Sequence, residues 1–266
     1  ENLVDHLTHF YLFFMPDFAR DSYAGRGWHT HVAARFRATS GAALAEVLPA
    51  RADFLRVMGY LAGKWPHSLV LQPGGTTRAV TPTEKVRLLA VLREFRAFLE
   101  STLFGDSLES VGSLESPQAL ARWREGRRGD FACFLEMAEE LGLGTVGRAD
   151  AVFLSHGAYG ADDQHLFAQG VREAGGALSA FRHESINEDV THAWLAGTAA
   201  QHPLQGQTRP LTGEFAEKPD AYSWCKAPRY AGQVAETGAL ARQFVAGDPL
   251  STGLAAQGGN VTARIE

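Results

Sequence analysis

The stretch from Thr81 to Phe104 constrains the fold more than any other. Thr81 and Glu84 stand at capping-box spacing, and Pro82 takes the first helical position. Val86, Leu89, Leu92, Phe95, Leu99 and Leu103 then recur on one face. The spacing predicts a helix over Pro82–Phe104 with an apolar stripe, and a chain built around such an element is mainly α.

Other segments extend the pattern. In "DHLTHFYLFF", residues 5 to 14, Leu3, Leu7, Phe10, Tyr11 and Phe14 keep helical spacing while Leu12 and Phe13 thicken the stripe, so the helix reads as buried on all sides and ended by Pro16. Pro16 to Gly27 reads as a loop. Val32 to Leu61 is helical with a break at Ser40-Gly41 and a stop at Gly63. Residues 64 to 78 are too irregular to be an element. Helices are expected at 116–125 and 130–141 and over Thr237–Val245. Ala151 to Ala180 has short apolar pieces between glycines, which reads as a small β-hairpin region, and 197–220 as a long loop.

At 266 residues, with 45% hydrophobic and 21% charged side chains, the expectation is one globular domain over 1–266. A net charge of -5 with scattered cations argues against nucleic acid as a partner, and no apolar run approaches the roughly 20 residues of a membrane span. Two cysteines, Cys133 and Cys225, fit a reducing compartment, hence a cytoplasmic expectation. The chain begins with Glu1 inside what reads as a helix body, and Asn260 to Glu266 stops as another helix-compatible segment begins, so both termini read as truncated.

His6 and His9 share one helix face, but H-E-x-x-H and a third ligand are both missing, so they read as buried histidines satisfied by hydrogen bonds, with Asp5 a partner for His6. Gly74-Gly75 lacks the phosphate-loop pattern and reads as a turn. Cys133 lies in an apolar helix and reads as core. Cys225 sits beside Lys226, yet no histidine nearby completes a nucleophilic arrangement, so it too reads as a packed thiol. The carboxylates of "INEDVTHAW", 186 to 194, and the lysine of "YSWCKAPRY", 222 to 230, would make a natural buried ion pair.

These blocks, "DHLTHFY", "GKWPHSLVLQPGG", "INEDVTHAW", "YSWCKAPRY" and "ETGALARQF", occur in the order and at about the separations found in the large subunit of nickel-iron hydrogenases, which the whole chain resembles over the middle of that subunit. "DHLTHFYLFFMPDFA" and the tryptophan of "GKWPH" are most similar to the regulatory, hydrogen-sensing branch. The resemblance implies the central part of that mainly α fold, in a parent that cleaves dihydrogen heterolytically, carries a nickel-iron centre with cyanide and carbon monoxide and also magnesium, and pairs with an iron-sulfur small subunit and a histidine kinase. A ligand-poor scaffold for cofactor maturation is the alternative it leaves open.

One departure matters. The family holds its metals by four cysteines in two C-x-x-C pairs, and this chain has neither pair, so no catalytic or metal-ligating residue is assigned to it and no activity is expected of it alone. What the resemblance carries over is supporting: Glu188 and Lys226 around the magnesium through hydrogen bonds and water, and His6 and His9 behind the cysteine-bearing helix. Surfaces that face absent segments would leave apolar patches, so self-association is expected.

Overall fold

The capping box forms as the sequence dictates. In the computed structural model, which describes residues 2–146, 152–161, 164–173, 176–211 and 218–256, the Glu84 N–H donates to Thr81 Oγ1 at 3.3 Å and the Thr81 N–H to Glu84 Oε2 at 2.9 Å. That N–H is the first cause holding the Glu84 carboxyl below its ordinary range. The contacts group the chain into two compact units, residues up to Gly144 and residues from Thr145, each described by itself.

The first unit is helical. Its elements are α1 (Asn2–Thr8), a π-helical turn (His9–Phe14), α2 (Met15–Phe18), α3 (His29–Phe36), α4 (Leu44–Ala62), a two-residue hairpin of β1 (Leu71–Gln72) and β2 (Gly75–Thr76), α5 (Pro82–Phe98), a second π turn (Leu99–Phe104), α6 (Leu108–Gly112), α7 (Pro117–Arg124) and α8 (Asp130–Glu140). The break expected at Ser40-Gly41 separates α3 from α4. A Cβ at Gly41 would stand 2.5 Å from the Arg35 carbonyl oxygen, so the elbow requires glycine.

Several expectations are corrected here. Pro16 does not end the first helix: the Met15 N–H already bonds the Phe10 carbonyl, five residues back, so the ladder is offset where the missing proline N–H would fall. Only one side of this helix is buried, through Val4, Leu7, Phe10, Tyr11, Met15 and Phe18, while Phe13 is 65% exposed. Along α5 the expected stripe is buried only in part: Val86, Leu89 and Leu92 are exposed at 70%, 47% and 48%, while Phe95 of that stripe is buried together with Val91, which lies outside it, and Phe95 stacks on Phe54 of α4 at 3.9 Å between centroids. The α5 sequence carries apolar residues on two adjacent faces, and the aromatic contact with α4 selects one. The passage at 64–78, expected to be irregular, holds the small β1–β2 hairpin, and α6 was not foreseen.

Around α8 the core closes. Phe131, Phe134 and Met137 are almost fully buried, and Phe134 meets Phe10 edge-on at 6.0 Å and Phe14 at 5.4 Å.

The second unit is built on sheets. The expected hairpin is β3 (Val152–Ala161) paired antiparallel with β4 (Gln164–Arg172); β5 (Leu178–Ser179) pairs antiparallel with the outer edge of β4, and β8 (Ala235–Glu236) lies parallel to β3. Helix α9 (Ala239–Ala246), expected from Thr237, covers this sheet, with Phe244 edge-on to Phe153 at 4.6 Å, and α10 (Pro249–Ala256) follows. A separate ribbon pairs β6 (Ile186–Asp189) antiparallel with β7 (Ala227–Tyr230). Residues 197–211 and 218–220 are irregular, as expected of that loop; the terminal segment from Asn260 lies outside the described residues.

Candidate functional site

The β6–β7 ribbon brings together two residues that lie 38 positions apart. Glu188 stands opposite Pro228, so Lys226, two residues earlier and just outside β7, is its diagonal neighbour on the same face. Lys226 Nζ donates to Glu188 Oε2 at 2.6 Å, with side-chain exposures of 18% and 28%. The pair is half-buried and lines a cleft of about 280 Å³ together with Val190, Thr198, Gln201 and Gln207. Glu188 is fixed from its other edge too: its N–H donates to the Gln201 carbonyl at 2.8 Å, and the Gln201 N–H returns a bond at 3.2 Å.

The neighbouring carboxylate is used differently. Asp189 Oδ1 accepts from the Thr191 hydroxyl at 2.6 Å and the Thr191 N–H at 2.7 Å, and the hydroxyl bond above all holds the Asp189 carboxyl below its ordinary range. Of two adjacent acids, one makes a turn and the other makes the ion pair.

His6 and His9 are exposed, not buried as expected, because the stripe that faces the core is Val4, Leu7, Phe10 and Tyr11. The His9 ring lies 5.9 Å from that of Phe13. The two histidines belong to the first unit, and Glu188 and Lys226 to the second.

The cysteines divide by environment. Cys133, on α8, is half-buried, and burial first, then the Asp130 and Glu136 carboxylates, push its thiol up to about 12. Cys225 is exposed, against the expectation of a packed thiol, because its loop turns Tyr222 and Trp224 toward solvent. Iodoacetamide at neutral pH is therefore expected to alkylate Cys225 in the native protein and to spare Cys133, read by peptide mass; equal labelling would contradict these environments.

The donor set bears on the metals that the resemblance implies. A nickel-iron centre needs several thiolates. One thiol here is held protonated in a helical core and the other is exposed in a different unit, and no cluster of three or more His, Cys, Asp or Glu suited to a metal ion occurs among the described residues. These residues do not fit direct ligation of that centre. A magnesium ion wants several oxygens at once, whereas Glu188 already gives one oxygen to an ammonium; the cleft suits hydrogen bonding to bound water better than ligation.

Sequence reasoning missed two arrangements. In the first unit, Arg35 binds Asp130 bidentately, Nε to Oδ1 at 2.7 Å and Nη2 to Oδ2 at 2.8 Å, while the Tyr11 hydroxyl donates to Asp130 Oδ2 at 2.7 Å and Glu46 takes Arg35 Nη1 at 2.9 Å. The available signal was a carboxylate at the head of the apolar run Phe131 to Leu135, which demands partners if buried. In the second, Lys218 reaches three backbone carbonyls, and nothing in its neighbours hinted at that.

Comparison with known proteins follows the same lines. Residues 34–253 match the family model described as nickel-dependent hydrogenase. The large chain of hydrogenase-1 from Citrobacter freundii is 25% identical over 226 residues, covering 76% of this chain and 36% of its own length. The large chain of the quinone-reactive Ni/Fe-hydrogenase of Wolinella succinogenes is 37% identical over a shorter stretch of 73 residues, 21% of this chain and 13% of its own. The Ni-Fe-Se hydrogenase of D. vulgaris Hildenborough superposes with a TM-score of 0.69 at 23% identity, covering 100% of this chain and 56% of that one. The chain thus spans 36% of the Citrobacter freundii large chain and 56% of the D. vulgaris Hildenborough one. No helix among the described residues is long and apolar enough to cross a membrane. By the extent of the family match and by its fold, the chain belongs to the nickel-dependent hydrogenase family and has the fold of the hydrogenase large subunit.

Proposed function

We propose that this chain is the central, single-domain portion of a large subunit whose complete protein activates dihydrogen together with an iron-sulfur small subunit. The observation that carries this reading is the family match over residues 34–253, which includes both members of the Glu188–Lys226 pair. In this reading the thiolates for nickel and iron come from outside these 266 residues, and no step of hydrogen cleavage is assigned to side chains of this chain. Glu188 and Lys226 hold water beside a magnesium ion, the carboxylate accepting and the ammonium donating; the half-buried pair and the small cleft it lines with Thr198, Gln201 and Gln207 support that role. His6 and His9, exposed on the first helix, support the centre through partners supplied by other segments.

A finer reading, the cytoplasmic hydrogen-sensing type with a histidine kinase as partner, rests on the motif at residues 5–19 and on Trp65. It predicts that dihydrogen changes the autophosphorylation of that kinase when the complete protein is present, and no change would refute it.

The test of the broader reading is elemental analysis of the complete protein co-expressed with its small subunit. Nickel near one equivalent, with hydrogen–deuterium exchange activity from deuterium gas, is the expected outcome. A complete protein without cysteine pairs and without nickel would favour a maturation scaffold instead.

A further inference from the structure

We propose that the carbonyls of Val190, Ala193 and Leu195 form a cation cage, that the Lys218 ammonium fills it, and that this staple positions Lys226 against Glu188. The Lys218 Nζ donates to Leu195 O at 2.5 Å, Val190 O at 2.9 Å and Ala193 O at 3.4 Å. An ammonium carries three donors, so the cage satisfies it completely.

The three residues that supply the carbonyls form a buried apolar cluster in this unit, 7%, 2% and 3% exposed. Their oxygens cannot all turn to water, and oxygens converging on one point repel each other unless a cation lies between them, as in carbonyl-lined ion sites. The Val190 carbonyl also accepts from the Ala193 N–H at 3.0 Å, but for the Ala193 and Leu195 carbonyls Lys218 is the donor found among the described residues. Nor does Lys218 have a carboxylate partner among the described residues. It acts through the backbone alone.

The consequence for Lys226 follows from chain direction. Beyond Lys218 the chain runs parallel to residues 192–194 at an isolated bridge between Ala193 and Ser223: the Tyr222 N–H donates to His192 O at 3.0 Å, and the Trp194 N–H donates to Ser223 O at 2.9 Å. Three residues later Lys226 meets Glu188, and β7 begins. The β6–β7 ribbon has only four paired positions, and a slip of one residue would turn Lys226 to the opposite face. Lys218 fixes the far end of the segment whose near end carries Lys226, which makes it a positioning residue.

Acetylation of the complete native protein with acetic anhydride tests the cage without any substitution. Lys218 is expected to react at least about tenfold more slowly than the exposed Lys64 and Lys85, and equal rates would overturn the proposal. Positioning is tested with Lys218→Met and Lys218→Arg. The methionine variant should raise both the acetylation of Lys226 and the amide exchange of residues 186–196 by about tenfold, leave the exchange of residues 82–98 unchanged, and the arginine variant should restore most of the protection. If Lys218→Met leaves Lys226 as slow as before, the positioning role is wrong. Methylammonium added to Lys218→Ala should refill the cage and slow exchange in 190–196; no effect would show that the side chain packs and does not serve as a cation. The meaning of a positioned Lys226 for magnesium rests on the function proposed above, whereas the labelling does not: a complete protein free of nickel but with Lys218 protected would sink that function and leave the staple standing.

Discussion

Replacing Asp130 with leucine is expected to lower the stability of the folded protein by about 3–5 kcal/mol, the range for breaking a buried ion pair from one side. The Asp130 side chain is 5% exposed and that of Arg35 18%. With the carboxylate gone, the guanidinium keeps only Glu46, itself 46% exposed, and the Tyr11 hydroxyl is left buried without an acceptor. Removing Arg35 as well, as Arg35→Met with Asp130→Leu, should recover a large part of the loss, since an apolar pair leaves no charge stranded. Urea midpoints of the two singles and the double decide it; a single substitution costing under about 1 kcal/mol would mean that the pair is hydrated.

The same network sets a pH window. Burial, and then the Asp130 carboxylate, raise the Tyr11 phenol above its ordinary value. A group raised in the folded state contributes stability that is full below its unfolded value, near about 10, and is lost as pH rises beyond it. Glu46 is shifted the other way, held low chiefly by its hydrogen bond from Arg35. Its contribution is present above the ordinary carboxylate value, about 4.3, and is lost as pH falls through the lowered one. Stability from this cluster should therefore be flat from weakly acidic to weakly alkaline pH, and Tyr11→Phe should flatten the alkaline limb of a plot of urea midpoint against pH.

What was legible in the sequence was what local chemistry decides. The Thr81–Glu84 box, the breaks at Gly41 and Gly63 and the glycine-punctuated hairpin each depend on a few neighbouring residues, and each formed where expected. The illegible part depended on distant partners. Which face of α5 is buried is set by Phe54 stacking on Phe95, and the offset at Pro16 is set by a π turn that no propensity signals. The site divides in the same way: charge complementarity between "INED" and "CKAP" suggested the Glu188–Lys226 pair, but only the ribbon register explains how two residues 38 apart become diagonal neighbours. Asp130 at the head of an apolar run signalled only that it needs partners if buried; nothing in the sequence pointed to Arg35, 95 positions away.

Gly129→Ala is expected to cost about 3 kcal/mol, the upper part of the usual range for overpacking. The reason is steric and not conformational, because Gly129 has φ -69°, a value open to every residue. An added Cβ would lie 2.3 Å from the Phe104 carbonyl carbon, 2.4 Å from its oxygen and 2.6 Å from the Leu103 oxygen. These are backbone atoms of the π turn, and neither they nor the head of α8 can give way cheaply: Phe104 packs edge-on against Phe131, two residues past the glycine, at 5.8 Å. Gly59→Ala is the control. Gly59 lies inside α4, exposed, with nothing within 4 Å of the new methyl, so it should stabilise by about 0.5–1 kcal/mol through helix propensity alone. The damage at Gly129 should also reach Asp130, the next residue, by moving its carboxylate off Arg35. Gly129→Ala combined with Asp130→Leu should then cost clearly less than the sum of the two, whereas additive urea midpoints would show that the helix start relaxes without disturbing the ion pair.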